Sequence, residues 1–255
     1  MSRLFQYRFD SHSALGGHSF GNLFITAMTQ VTGDFEKAVE ASSKVLAISG
    51  RVVPCTLRNV SLVARHTDGT VTRGEEMITK SARTVAEVAL EPGGSRPTET
   101  ALQAINESDA IILGPGSLYT SIIPNLLVEG ISEALAASSA VKIYVCNVMT
   151  QAGETKAYTA SQHVEALLAH AGAPIVDYVV CNNGRVPSSL LKRYQIEHAE
   201  PVVVDLKEMR NKPYRVIVGL FEGWTNGLSS ARALRYRRPS PRGSRWDAVK
   251  NDSVV

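Results

Sequence analysis

The chain lacks most of the features that would assign it quickly. Its 255 residues include three cysteines, Cys55, Cys146 and Cys181. They are too far apart for a paired metal spacing or the disulfide framework of a small secreted domain. Cys146 and Cys181 sit in apolar, strand-like runs, where a reduced thiol acts as a small hydrophobe, and the expected compartment is the cytoplasm. There is no run of about eighteen apolar residues, so no membrane span is expected. The opening residues, MSRLFQYRFD, have no apolar stretch of the kind that marks a secretory signal. A Ser-His-Asp order, a P-loop lysine, a His-Glu-x-x-His pair and carboxylate pairs at metal-ligand spacing are also missing. No catalytic residue and no metal ligand is assigned, and the chain reads as a binding protein rather than an enzyme.

What is present is ordinary for a globular protein: 44% apolar and 20% charged residues. The length suits one large α/β domain, placed at residues 1–220. The net charge of +3 is uneven, because Ala231–Val255 holds seven cations (Arg232, Arg235, Arg237, Arg238, Arg242, Arg245, Lys250) against Asp247 and Asp252. Such a tail can bind phosphates or nucleic acid. Its Pro, Ser and Arg content reads instead as a solvated, disordered end over residues 221–255, and nucleic acid is not the expected partner.

Hydrophobic periodicity divides the body. Helices are predicted over Leu23–Val31, started near Gly17–Ser19, and from an Asp34 N-cap to about Ala47. Gly50–Leu57 reads as strand. Ser61–His66 and Val71–Arg73 alternate around Asp68-Gly69, a hairpin signal, and Thr84–Leu90 alternates again, so residues 50–91 form a small β-rich insertion. After a helix over Thr98–Glu107 the pattern becomes strand, polar turn, helix, twice over: Ala110–Leu113 with a helical run to about Ala137, then Val141–Val148 with a helix over Tyr158–Ala171. Val176–Val180, Pro201–Val204 and Arg215–Leu220 are further strands, with a short helix over Pro187–Tyr194. The fold class is α/β, a Rossmann-like parallel sheet with flanking helices.

In such sheets ligands bind outside the carboxyl ends of the strands. Gly114-Pro115-Gly116-Ser117 opens a helix directly after a strand. Its glycines let backbone approach a ligand, and free amides at a helix start favour an anion, so a phosphate or diphosphate is the natural guest; a turn that only joins strand to helix is the alternative. Thr120 and Ser121 add hydroxyls. Asn147, Thr150, Gln151, Glu154 and Thr155 form the neighbouring loop, suited to a base, sugar or phosphate, or to capping the next helix. Glu154 is a candidate base or metal ligand. Asn182 and Asn183 end the next strand at the same edge. His18 and Asn22 share a helix face and offer a phosphate donor or a structural histidine. His163, His170 and His198 are taken as surface residues.

These stretches resemble a known family. GHSFGN (Gly17–Asn22), TGDF (Thr32–Phe35), SKVLAISGRVVP (Ser43–Pro54), LGPGSLYTSIIPNLLV (Leu113–Val128) and CNVMTQAGETKAYTASQHVEA (Cys146–Ala166) are similar to the YvcK-like gluconeogenesis factors, within the group that includes 2-phospho-L-lactate transferase. The resemblance implies a cytoplasmic bacterial protein that binds UDP-sugars or related nucleotides and is needed for cell shape and wall synthesis on gluconeogenic carbon. The transferase branch would instead move a phospholactyl group from a nucleotide diphosphate carrier to a deazaflavin with Mg²⁺. By position, Gly114, Gly116, Ser117, Tyr119 and Thr120 become the phosphate-side loop and Asn147, Thr150 and Gln151 its neighbour. His18 and Asn22 come from the GHSxGN motif, and Tyr194 is a ligand contact. Ala152 stands where the family carries proline. The family's opening glycine-rich βα units, with their aspartate-rich loop, are expected to be missing through a start-site error or a truncation, and the tail to be divergent or frameshifted. The sheet edge left by absent strands is expected to promote association, and homo-oligomerisation is left open.

Overall fold

The computed structural model describes residues 2–10, 15–47, 50–81 and 83–219. The expected basic tail, residues 221–255, lies outside them. Two compact units are distinguished, residues 2–57 and residues 58–219.

In the first unit, α1 (Ser2–Phe5) is followed by α2 (Phe20–Thr32) and α3 (Phe35–Val45). The Ser19 hydroxyl caps α2 by accepting the Asn22 N–H at 3.2 Å. Gly33, at φ 68°, closes that helix in the left-handed conformation that glycine adopts without strain. Asp34 caps α3 by accepting the Lys37 N–H at 2.9 Å, so both helices start where the capping residues place them. The Phe5 ring meets Phe20 and Phe24 edge-on at 5.4 and 5.1 Å. Residues 50–57 form no strand. The β-branched Val52 and Val53 have high strand propensity, but propensity without a pairing partner does not make a strand.

The second unit holds two sheets. β1 (Ser61–His66), β2 (Val71–Arg73) and β3 (Val85–Glu91) form an antiparallel sheet in the order β2-β1-β3, with α4 (Glu75–Lys80) inserted before β3. This is the predicted β-rich insertion, and the hairpin turns at Asp68-Gly69. Then come α5 (Glu99–Glu107), β4 (Ala110–Leu113), a π-helical turn at Leu118–Ile122, α6 (Ile123–Leu126), α7 (Ile131–Ala137), β5 (Val141–Val145), α8 (Ala160–Ala171), β6 (Tyr178–Asn182), α9 (Ser188–Ile196), α10 (Leu206–Met209) and β7 (Arg215–Gly219). β4 to β7 make a parallel sheet in the order β4-β5-β6-β7. The fold is α/β and Rossmann-like.

Two segments depart from the pattern. The helical run expected up to Ala137 is broken, since Gly130 at φ 92° separates α6 from α7. Pro201–Val204 joins no sheet. It lies along the preceding loop through single bridges from Pro201 to Met149 and from Val203 to Thr159. α8 is anchored at its start and along its buried face. Thr159 and Gln162 close a reciprocal capping box at its start, worth about 1 kcal/mol. Val164 and Leu167 are fully enclosed, each contributing roughly 1.5–3 kcal/mol through burial. Among the described residues β4 has a strand neighbour on one side only, and its Ile112 is 44% exposed. Among the described residues no helix is long and apolar enough to cross a membrane.

Candidate functional site

Parallel strands put the loops after β4, β5 and β6 at one edge, the carboxyl end of the sheet. The first of these is pressed close to its neighbour. Gly114 has φ 99°, and a Cβ there would stand 3.2 Å from the Val145 carbonyl oxygen, so glycine is required twice over. A Cβ on Gly116 would come within 3.2 Å of the Ser121 Cβ. Ser117 then caps the π-helical turn with extended backbone, half-buried.

Beyond Ser117 the loop turns inward. Tyr119 and Thr120 are core residues, 2% and 8% exposed. The Tyr119 N–H donates to Glu154 Oε2 at 3.0 Å and the Thr120 hydroxyl to Glu154 Oε1 at 2.8 Å. The Thr79 hydroxyl adds a third bond at 3.3 Å. A helix start attracts an anion, and here the chain supplies its own. Glu154 is buried, and burial pushes its carboxyl above the usual range against the opposing pull of Thr120, Tyr119 and Thr79. It holds the loop in place and does not face solvent as a base. The Tyr119 phenol, 2.9 Å from the Tyr158 hydroxyl, is driven far above its ordinary value, first by burial and then by that bond.

The adjacent loop meets the glycine turn directly. Gln151 Nε2 donates to Ser117 Oγ at 2.8 Å. Gln151 Oε1 and Asn147 Oδ1 are both enclosed and have no hydrogen-bond partner. The amides of Gly116 and Ser117 likewise have no acceptor among the described residues. Thr150 serves a different end: its N–H donates to the Glu200 carbonyl at 2.7 Å and its hydroxyl accepts the Glu200 N–H at 2.9 Å, tying the 200–205 segment to the loop. Tyr194 packs from α9 against Met149, Val186 and Ala199. Asn182 is occupied with its own turn, exchanging bonds with Gly184 at 3.1 and 3.3 Å. His18 and Asn22 belong to the first unit and are exposed at the start of α2. Among the described residues no three His, Cys, Asp or Glu side chains converge as a metal site. With Glu154 already committed, the residues present do not fit the Mg²⁺ that the transferase branch implies.

The histidines of α8 correct the surface assignment. His163 is fully buried. Its Nδ1 lies 2.8 Å from the Thr159 carbonyl, so that nitrogen carries the proton and Nε2 is left without a partner. The sequence carried the signal, since Ala160, His163, Val164, Leu167 and Ala171 share one helical stripe. His170 is also engaged at both nitrogens, accepting the Val88 N–H at 3.2 Å and donating to Ala166 O at 2.7 Å. His198 is exposed as expected. Burial lowers the His163 pKa, so the unfolded chain takes up its proton first and stability falls as pH drops below about 6.5. The variant His163→Leu is expected to lose less Tm than the parent between pH 8 and pH 5.5. An equal loss in both would show that this ring does not set the acid limb.

The family described as 2-phospho-L-lactate transferase CofD matches residues 1–221. A gluconeogenesis factor of Halalkalibacterium halodurans is 44% identical over 82% of this chain and 65% of its own length. One from Bacillus subtilis is 44% identical over 84% of this chain and 68% of its own. The crystal structure of a UPF0052 family member from Bacillus halodurans superposes with a TM-score of 0.80 at 43% identity, covering 86% of this chain and 71% of that one. The chain thus spans about two thirds of the length of the curated relatives it matches.

Proposed function

Since the chain belongs to the CofD family, we propose that it is a nucleotide-sugar-binding regulatory protein of the gluconeogenesis-factor branch, with no turnover of its own. One observation carries this reading: Ser117 is bridged to Gln151 at 2.8 Å while Gln151 Oε1 and Asn147 Oδ1 stay enclosed and unpaired. Unpaired buried acceptors are costly, about 1–3 kcal/mol each, and they call for a donor. The diphosphate of a nucleotide sugar, fully ionised at neutral pH, has none to give, whereas a sugar hydroxyl or a base N–H does. The free amides of Gly116 and Ser117 suit the diphosphate, and the two amide oxygens suit the sugar or base beside it. A UDP-sugar carries both chemistries. The name gluconeogenesis factor carried by the relatives fits this reading, and the proposal includes the cytoplasmic role in cell shape and wall synthesis on gluconeogenic carbon that the sequence resemblance implies.

Titration calorimetry of the full chain with UDP-N-acetylglucosamine tests the site. Binding is expected, weakened about tenfold in Gln151→Ala, the loss of about 1.4 kcal/mol that one such hydrogen bond allows. Absence of heat at millimolar ligand, or equal affinity in the variant, would sink the reading. A second reading rests on the transferase description of the matching family: transfer of a phospholactyl group from a nucleotide diphosphate carrier to a deazaflavin. Phosphorylated deazaflavin appearing in a Mg²⁺-supplemented assay would favour it over pure binding.

A further inference from the structure

Cys146 and Cys181 are neighbours across two parallel strands. Val145 pairs with Val180 in register, and the next residue of each strand path is a cysteine. The Cys146 N–H donates to the Val180 carbonyl at 3.0 Å, which holds that register one step further. Opposed residues of a parallel pair project from the same face, with strands about 4.8 Å apart. That spacing lies inside the roughly 4.4–6.8 Å between α-carbons that a disulfide bridges. The two cysteines are 4% and 1% exposed, and each stands directly before a loop of the carboxyl edge: Asn147 follows one, Asn182 the other.

We propose that Cys146 and Cys181 are an oxidisable dithiol, which a peroxide closes into an intramolecular disulfide that clamps the roots of the 147–155 loop and the 182–184 turn. Packing alone asks only for two small apolar side chains here, and it does not ask that both be thiols. The pair is asymmetric. The proximity of the two thiols lowers Cys181 below its ordinary range and, with burial, raises Cys146 above it. We assign the attack to Cys181, the thiol that its neighbour favours as the thiolate. Its thiolate attacks one peroxide oxygen, the O–O bond breaks, and with one proton the leaving hydroxide departs as water, leaving a sulfenic acid. The Cys146 sulfur then attacks the Cys181 sulfur, the S–O bond breaks, and the Cys146 proton leaves with the hydroxyl as a second water. Two thiols lose two electrons and two protons, and one peroxide becomes two waters. Cys55 belongs to the first unit, and burial pushes its thiol up to about 11, so it serves as the unreactive reference. The disulfide stands whether or not the loops above it bind a nucleotide sugar.

The experiment treats the folded chain with a small excess of hydrogen peroxide, blocks remaining thiols with iodoacetamide after unfolding, and maps the digest by mass spectrometry. The expected product is one peptide pair joining residues 146 and 181, lighter by two hydrogens and separated by dithiothreitol, with Cys55 alkylated. In Cys146→Ser, checked for native circular dichroism, the cross-link disappears and dimedone labels Cys181. The proposal is overturned if both cysteines stay alkylatable at peroxide levels that consume free glutathione. It is equally overturned if they over-oxidise separately with no cross-link in the parent chain.

Discussion

Replacing Gly153 with alanine is expected to destabilise the protein more than any other single methyl addition. A Cβ at that position would sit 2.1 Å from the Thr79 carbonyl oxygen and 2.8 Å from that of Ser81. Both obstacles are backbone at the end of α4, so no side-chain rotation can relieve them. Overpacking of this kind costs at least the upper part of a roughly 1–3 kcal/mol range, or about 6–12 °C in Tm for a domain of this size. The effect reaches the site as well, because the next residue is Glu154, and moving the loop away from α4 draws that carboxylate off Tyr119, Thr120 and Thr79. Gly93→Ala is the matched control: its nearest neighbour is Leu90 O at 4.0 Å, and the change should be close to neutral. Melting curves for the two variants decide the matter. A Gly153→Ala protein that melts within about 2 °C of the parent, less than 1 kcal/mol by the same scaling, would mean that the 147–155 loop does not pack on α4 as described.

Residue patterns made the framework legible and left its contacts dark. Every strand of the parallel sheet follows an apolar run closed by glycine or asparagine, and Ser19, Asp34 and Thr159 cap helices by local chemistry that needs no tertiary knowledge. The two loops at the carboxyl edge follow from the parallel order alone. Glu154 shows the limit. Its residue type marks it as a base or a metal ligand, yet its partners lie 34, 35 and 75 residues away, and no window of sequence contains them. Gly153 looks like a turn glycine until Thr79 is brought against it. Residues 50–57 fail for the opposite reason, since their β-branched composition is a local signal that no neighbouring strand answers. Pro201–Val204 has the composition of a sheet strand and becomes a strap, because Val148, Met149, Thr159 and Ala160 offer it backbone partners outside the sheet.

Glu154 itself yields the second large effect, and its two obvious variants should separate sharply. Glu154→Ala strands the Tyr119 N–H and the Thr120 hydroxyl in a buried site, at about 1–3 kcal/mol each, so a loss of roughly 3 kcal/mol or more is expected, together with loosening of the turn that presents Ser117. Glu154→Gln keeps an acceptor for the Tyr119 N–H and places an amide where hydroxyls can rotate to receive it, and it should lose no more than about 1 kcal/mol at neutral pH. The pH dependence distinguishes a buried charge from a buried hydrogen-bonding shape. Because burial raises the Glu154 carboxyl above its ordinary 4.5, the folded state holds a proton that the unfolded chain has already released. Stability from this group is therefore present below 4.5 and is lost as pH rises through the folded value. The parent should gain on Glu154→Gln as pH falls toward 4.5, and the gap should narrow or reverse above it. Chemical denaturation of both proteins across that range reads the difference directly. Parallel curves would show that the carboxylate is not desolvated, and that the glycine turn is held at Ser117 by something other than the charge beneath it.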